Sequence, residues 1–324
     1  MTAIYIAIGA LLVLSAGAVA FTYFAICPKI ADALLKTIPP EQRDFCPDEG
    51  VPRPNTSAFF RQDEWYLKES GREKVALVAK DGVLLCGNVF RGKGNVRRWA
   101  IVMHGYRIDA REMSEFIRRF YENGWNVLAP DQRAHGFSGG EYTFLGALEK
   151  YDLADWADFI CKEDPAAEIV FFGGSMGAAT VLLATGLPLP ENVKAAVADS
   201  SFTSAKRLAA RFLKWKKIPV FPLLPLTFRH VRRKTGVDLR DADVLAAVRR
   251  SVTPTLFLHG DKDAVVPFDM LNELYSAANC EKKKVVCAGA QHTQGYSVAP
   301  DLYWKEVFGF CENALSRSRQ TEER

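Results

Sequence analysis

Short apolar runs alternate with amphipathic helical patterns from residue 99 onward. Runs such as WAIVMHG at 99–105, EIVFFG at 168–173 and TPTLFLHG at 253–260 each precede a stretch with helical spacing of its apolar residues. A repeated strand-then-helix pattern predicts βαβ units, which place parallel strands in one sheet between layers of helices. We therefore expect an α/β fold with a mostly parallel, doubly wound sheet.

The segment KVALVAKDGVLLCGNVFR, which precedes this repeat, alternates in polarity on both sides of Asp81-Gly82. Asp-Gly favours a tight turn, so the segment predicts an antiparallel hairpin at one edge of the sheet. The 48% hydrophobic content is sufficient for one large core. We assign that core to residues 58–201 and 251–318, with a short helix near 59–69 and a tail at 319–324.

Residues 2–26 contain no charged side chain, and the run is long enough to cross a bilayer as one helix. A cleaved signal peptide is the alternative, with Ala18-Val19-Ala20 as the cleavage site. The first residues lack the Lys or Arg of a signal peptide, however, and apolar residues continue beyond that site. The sequence therefore favours an uncleaved single-pass transmembrane anchor over residues 1–28.

The positions of charges and prolines suggest how this anchor joins the rest of the chain. Lys29 and Lys36 follow the apolar run, which favours a cytoplasmic catalytic domain at the membrane. Five prolines between residues 39 and 54 disfavour helix and predict an extended tether over 29–57.

Residues 202–250 interrupt the strand–helix alternation. They contain 13 Lys and Arg against 3 Asp, a net charge of +10 in a chain whose total is +4. An insertion beyond the strand ends predicts a small helical lid, and we expect Phe221 and Leu224 to contact substrate. Its basic side chains could bind an anionic head group or an acidic membrane surface. The alternative is a solvated basic helix with a small core of its own.

Features that the sequence lacks argue against several classes of partner. The seven cysteines are irregularly spaced and form no CxxC pair, which argues against a zinc site and a disulfide framework. The basic segment 202–250 is weak evidence for nucleic-acid binding, because it carries no recognised nucleic-acid-binding pattern. No nucleic-acid partner is therefore expected. We expect neither a metal nor a cofactor.

The segment GGSMG places Ser175 between Gly173 and Gly177, at the junction of a predicted strand and helix. In a doubly wound sheet ligands bind beyond the carboxyl ends of the strands. A Gly-x-Ser-x-Gly turn at such an end exposes the serine hydroxyl beside the N–H groups of the following helix. Ser175 is therefore the candidate nucleophile.

A serine nucleophile needs a base, and the base needs an orienting acid. Three histidines follow Ser175 in the sequence, namely His230, His259 and His292. His230 lies in the insertion, and His259 ends a predicted strand, where a packed imidazole is expected. His292 follows the last strand and is the candidate base.

The candidate acid is one of three aspartates that follow strands. Asp263 is preferred because its neighbour Asp261 lies closer to the strand end and has the position of a turn former. Asp199, at the end of the preceding strand, is the third candidate. Ser, Asp, His is the order in which the three residues follow one another when a serine lies on a strand–turn–helix junction of this kind.

An oxyanion hole needs two donors fixed in place. The expected donors are the backbone N–H groups of Met176 and Tyr106. His104 is expected to shape the loop that carries Tyr106. Arg133 and His135 follow another strand, and they either contact substrate or brace the site.

With these motifs the sequence resembles the α/β-hydrolase superfamily over roughly residues 74–316. The residues that carry the resemblance are His104-Gly105-Tyr106, DQRAHGFSGG, GGSMG, HGDKDAVVP and His292. It is most similar to bacterial serine hydrolases with an N-terminal membrane segment, a group of esterases and prolyl-oligopeptidase-like enzymes. The resemblance implies a Ser-His-Asp esterase mechanism without metal or cofactor. Gly174 stands where peptidase relatives often have Trp or Tyr.

The function expected from these residues is hydrolysis of short- to medium-chain carboxylic esters, with lipid-like acyl esters included. A peptidase or amidase on the same three residues is the first alternative. A non-catalytic binding scaffold is the second, and the complete set of Ser175, Asp263 and His292 argues against it. The sequence determines neither the natural substrate nor the oligomeric state.

Overall fold

An eight-stranded sheet forms the centre of the molecule. The computed structural model describes residues 2–37, 65–69, 71–94 and 96–322. The strands are Glu73–Val78 (β1), Leu84–Phe90 (β2), Arg98–Met103 (β3), Asn126–Pro130 (β4), Glu168–Gly174 (β5), Val193–Asp199 (β6), Thr255–Gly260 (β7) and Lys282–Cys287 (β8). Their order across the sheet is β1-β2-β4-β3-β5-β6-β7-β8.

The sheet confirms the predicted mixture of pairings. β1 and β2 form the expected antiparallel hairpin, and β2 is also antiparallel to β4. Every other neighbouring pair, from β4–β3 to β7–β8, is parallel. The α/β-hydrolase-type fold with an antiparallel hairpin at one edge is therefore as predicted.

Helices cover both faces of the sheet. The described α-helices are Thr2–Phe21 (α1), Cys27–Leu35 (α2), Ser114–Glu122 (α3), Glu149–Glu163 (α4), Met176–Ala184 (α5), Ala205–Trp215 (α6), Leu223–Thr235 (α7), Val244–Arg250 (α8), Asp269–Ala277 (α9), Gly295–Val298 (α10) and Pro300–Glu322 (α11). Residues 319–322 of the predicted tail continue α11. Of the helix predicted near 59–69, residues 65–69 form a π-helical turn and the rest lies outside the described residues.

The strand β3 shows how the two faces are built. Side chains alternate across a strand, and here Ala100 and Val102 pack with α3 and α11 on one face. Ile101 and Met103 pack with α4 on the other. Both sets are fully buried, so the strand lacks the polar alternation of a one-sided sheet and is a continuous apolar run.

The predicted membrane anchor is wrong. Within the described ranges, no helix has both the length and the hydropathy that a membrane crossing requires. Residues 27–28, the predicted end of the anchor, begin α2, which continues from α1 through the π-helical turn Thr22–Ile26 and packs on the core. The predicted membrane location, its orientation and membrane association through the N-terminal helix are therefore corrected.

The predicted tether is corrected at its start as well. Residues 29–35 are helical and belong to α2, whose buried positions Cys27, Ile30, Ala31, Leu34 and Leu35 follow helical spacing. The proline-rich residues 38–57 lie outside the described residues. The docking of α2 on the core places Ala33 and Leu34 next to the candidate site.

The predicted insertion contains α6, α7 and α8, and it lies between β6 and β7 in sequence. Its buried side chains join the same apolar cluster as α2, α5 and α9. Several of its basic side chains are used in contacts: Arg207 pairs with Glu273, and Arg211 donates to the carbonyl oxygens of Ala264 and Val265. The insertion is therefore packed against the core.

Candidate active site

Ser175 lies in a strained turn between β5 and α5. Its φ of 55° is in the left-handed region, which side chains other than glycine seldom adopt. The flanking glycines make the turn possible. A Cβ on Gly173 would lie 2.4 Å from the carbonyl carbon of Gly177, and one on Gly177 would lie 2.2 Å from the carbonyl oxygen of Met103. The Gly-x-Ser-x-Gly spacing is thus a steric requirement of this junction.

The structure brings Ser175, His292 and Asp263 into one hydrogen-bonded chain. The Nε2 atom of His292 lies 2.8 Å from the Oγ of Ser175, although 117 positions separate the two residues in sequence. The Nδ1 atom of His292 lies 2.7 Å from the Oδ2 of Asp263. An imidazole in this position can take a proton from the hydroxyl while the carboxylate holds its other nitrogen.

Asp263 is held by its own loop and by a second imidazole. Its Oδ1 accepts hydrogen bonds from the backbone N–H groups of Val265 and Val266, both at 2.8 Å. The Nε2 atom of His259 lies 3.1 Å from Oδ2, the same oxygen that contacts His292. Burial would raise the pKa of the Asp263 carboxyl, but the contacts with His259 and His292 outweigh it and hold that pKa well below its usual value. The carboxyl is therefore ionised at neutral pH.

The two other aspartates that the sequence offered have different places. Asp261 accepts a hydrogen bond from the N–H of Gly289 at 2.7 Å, which fits its expected role in a turn. Asp199 is buried behind the serine and receives hydroxyl hydrogen bonds from Ser200 and Tyr303, both at 2.8 Å. Burial raises the pKa of Asp199.

Asp199 and Ser200 connect the turn of Ser175 with the loop of His292. The carbonyl oxygen of Asp199 accepts the backbone N–H of Ser175 at 2.8 Å. The hydroxyl of Ser200 accepts the N–H of Thr293, next to His292, at 3.2 Å. Sequence reasoning missed this link, and only the position of Asp199 at a strand end pointed to it.

The predicted oxyanion donors lie beside the serine. Tyr106 and Met176 line the same cavity as Ser175, and neither backbone N–H is hydrogen-bonded to another described residue. His104 shapes the loop before Tyr106. Its Nδ1 lies 2.7 Å from the carbonyl oxygen of Gly105, and its Nε2 accepts the N–H of Gln132 at 2.9 Å. Two unpaired donors near a hydroxyl are the arrangement that an oxyanion requires.

A cavity of about 360 Å³ opens at Ser175. Most of the side chains around it are apolar, and no Asp or Glu is among the described residues that line it. Three distant parts of the chain contribute apolar side chains to its walls: Ala33 and Leu34 of α2, Leu208 and Phe212 of α6, and Val265 and Val266 after β7. Apolar walls of this kind fit a hydrocarbon chain.

The four residues predicted to bind substrate do not line this cavity. Arg133 is 4% exposed, and its guanidinium binds the Asp152 carboxylate with two hydrogen bonds, at 2.7 and 2.6 Å. His135 is also buried and accepts the N–H of Arg107 at 3.1 Å, which steadies the loop after Tyr106. These contacts correspond to the bracing role, the alternative that the sequence left open.

Neither of the two insertion residues predicted to contact substrate, Phe221 and Leu224, lies at the cavity. Phe221 is 82% exposed and points away from the apolar cluster, whereas Leu224 is buried within it. The side chains of the insertion that reach the cavity come instead from α6, one helix earlier. The hydropathy of the segment 218–228 gave no information about which residues face the site.

The sheet order, the turn at Ser175 and the hydrogen-bonded side chains beyond the strand ends define a hydrolase of the α/β type. The chain belongs to the α/β-hydrolase superfamily. The model of the family described as "Serine aminopeptidase, S33" matches residues 94–241. The uncharacterized protein YqkD of Bacillus subtilis is 30% identical over 215 residues, which are 66% of this chain and 70% of that protein.

Two further comparisons involve proteins of named activity. A monoacylglycerol lipase of Mycolicibacterium smegmatis is 24% identical over 62% of this chain and 82% of its own length. The solved structure of the Pyrococcus furiosus esterase Pf2001 superposes with a TM-score of 0.64 at 24% identity, over 81% of this chain and 98% of its own. The structural likeness supports the fold.

Proposed function

We propose that this protein is a serine hydrolase that cleaves carboxylic esters through an acyl-enzyme on Ser175. The observation that carries the proposal is the hydrogen-bonded chain from the Ser175 hydroxyl through His292 to Asp263. An ester is the favoured substrate because the cavity beside Ser175 is walled mainly by apolar side chains. The similarity to a monoacylglycerol lipase points in the same direction.

In the first half of the proposed reaction, the Oγ of Ser175 attacks the ester carbonyl carbon while its proton moves to the Nε2 of His292. Asp263 stabilises the imidazolium through Nδ1. The negative charge that develops on the carbonyl oxygen is bound by the N–H groups of Tyr106 and Met176. The carbon–oxygen bond to the alcohol then breaks, and the alcohol leaves with the proton from His292.

In the second half, water replaces the alcohol. His292 takes a proton from the water while the water oxygen attacks the acyl carbon. The N–H groups of Tyr106 and Met176 again bind the oxyanion that forms. The bond to Ser175 breaks, its Oγ recovers the proton, and the carboxylic acid is released. The cycle restores the enzyme without any cofactor.

An aminopeptidase is the second candidate, because the matching family model carries that description. Such an enzyme must bind the free ammonium group of its substrate, and a buried cation needs a carboxylate or similar partner. The described residues that line the cavity include no carboxylate. Ester hydrolysis is therefore favoured over aminopeptidase activity.

The test combines a fluorophosphonate probe with a substrate panel. The full-length protein should be labelled and should hydrolyse p-nitrophenyl esters, and it should act poorly on alanine p-nitroanilide. Ser175→Ala should abolish labelling and lower kcat by roughly 10⁶. Ser297→Ala, at an exposed serine of α10, is the matched control and should keep both. Full turnover by Ser175→Ala would disprove the mechanism, and preference for the anilide would favour the peptidase.

A further inference from the structure

The C-terminal end of α2 is fastened to the core through its backbone. The last four carbonyl groups of a helix have no partner within the helix. In α2 the carbonyl oxygen of Asp32 accepts the N–H of Lys36 at 2.9 Å. The next three are bound as follows: Ala33 by the Arg107 guanidinium at 3.1 Å, Leu34 by the Tyr106 hydroxyl at 3.0 Å, and Leu35 by the Thr143 N–H at 3.0 Å.

Side chains hold the same helix from a second direction. The hydroxyl of Tyr142 donates to the Asp32 carboxylate at 2.9 Å, and Lys234 of α7 donates to that hydroxyl at 2.5 Å. The apolar face of α2 packs in the cluster that contains α7. The helix thus has a fixed position relative to the core.

This fixed helix faces the candidate site. Ala33 and Leu34 line the cavity that contains Ser175, together with Leu208 and Phe212 of α6. The hydroxyl that binds the carbonyl of Leu34 belongs to Tyr106, whose own N–H is a proposed oxyanion donor. A residue of the proposed oxyanion hole therefore holds the part of α2 that forms this wall of the cavity.

We propose that α2 determines which esters this enzyme accepts, with Ala33 and Leu34 limiting the length of the aliphatic chain in the cavity. The inference rests on the proposed ester hydrolysis and adds the element that sets chain-length preference. The physical reason is that each methylene buried against these apolar walls favours binding, until the chain meets a side chain that it cannot displace. The small side chain of Ala33 leaves space that a larger residue would fill.

The test measures kcat/KM for p-nitrophenyl esters from acetate to decanoate with the full-length protein. Each methylene that fits should raise kcat/KM by up to about fourfold. Ala33→Trp places an indole in the cavity from a position that is exposed at the protein surface. The octanoate-to-acetate ratio of kcat/KM should fall by about 15-fold, which corresponds to two methylenes that are no longer buried.

The matched control is Lys29→Trp, one helical turn earlier on the same exposed face of α2. Lys29 does not line the cavity, so this variant should keep the wild-type ratio. Thermal melting of both variants checks that they are folded. Ala33→Leu provides a smaller substitution that should shift the ratio in the same direction as Ala33→Trp.

A parallel series keeps the acetyl group and lengthens the alcohol from ethyl to octyl. It distinguishes an acyl chain from an alcohol chain as the group beside α2, since only the series that occupies this wall responds to Ala33→Trp. If neither series responds in a folded variant while the wild type hydrolyses esters, the inference is wrong and the proposed function stands. If the wild type cleaves no ester and Ser175 is not labelled, the proposed function itself fails.

Discussion

Replacement of Arg133 by methionine would remove the cation from a buried ion pair. The guanidinium of Arg133 binds both carboxylate oxygens of Asp152, and both side chains are about 5% exposed or less. It also donates to Asp81, a half-exposed carboxylate, at 2.7 Å. In Arg133→Met a buried apolar stem is retained, while Asp152 is left without its partner.

The expected loss of stability is large. Removal of one partner from a buried ion pair costs about 3–5 kcal/mol. For domains of about 150–250 residues each kcal/mol lowers the Tm by about 2–4 °C, so a fall of roughly 6–20 °C is expected. Burial already raises the pKa of Asp152 to about 6, against the opposing effect of Arg133.

The pH dependence follows from this raised pKa. A carboxyl whose folded-state pKa lies above its unfolded value is destabilising when ionised, and more so as pH rises. Without Arg133 the pKa of Asp152 should rise further. The stability loss in Arg133→Met should therefore be greater at pH 8 than at pH 5, where the protonated carboxyl needs no cation.

Denaturation with urea at both pH values, together with thermal melting, measures these effects. The double variant Arg133→Met/Asp152→Leu removes both charges and should recover most of the lost stability. A substrate-binding role for Arg133 makes the opposite prediction, namely a raised KM with an unchanged Tm. That result would refute the bracing role.

Three more substitutions test the site and its surroundings. Asp263→Asn should lower kcat for ester hydrolysis on the order of 10⁴-fold, because the imidazole of His292 loses the charge that orients it. The circular dichroism spectrum of this variant should match that of the wild type, which shows that it is folded. Burial lowers the pKa of His104 to about 4. The neutral imidazole should therefore contribute stability at pH 7 that is lost as pH falls to 4, by about 3 kcal/mol in the free energy of unfolding. Urea denaturation of His104→Asn at a series of pH values should lack this part of the pH dependence. Gly177→Ala would place a Cβ 2.2 Å from the carbonyl oxygen of Met103 and should destabilise by about 1–3 kcal/mol or more, whereas Gly309→Ala in α11, with open space around it, should be neutral or stabilising in the same melting assay.

The sheet was predictable because each buried strand is a continuous apolar run. In β3 and β5 both faces are covered, so nearly every residue is apolar and the run ends where the polar loop begins. The turn at Ser175 was predictable for a related reason. Only glycine fits at Gly173 and Gly177, and this steric limit is visible in the sequence as a fixed spacing.

The docking of α2 was not predictable, since its partners are distant in the chain. Tyr106 is 72 positions from Leu34, and Tyr142 is 110 positions from Asp32. The sequence shows one apolar run that continues from α1 into α2, and hydropathy alone does not mark where this helical stretch begins to pack on the core. The walls of the cavity have the same origin, because they come from segments that meet only in the folded protein.

The hydrogen bond between Tyr303 and Asp199 has a consequence for how the protein matures. The carbonyl oxygen of Asp199 accepts the N–H of Ser175, and its carboxyl accepts a hydrogen bond from the Tyr303 hydroxyl of α11. His292 also belongs to this late part of the chain. During translation Ser175 is thus made more than a hundred residues before His292, and the hydrogen-bonded chain from Ser175 through His292 to Asp263 cannot form until the C-terminal part of the protein has left the ribosome.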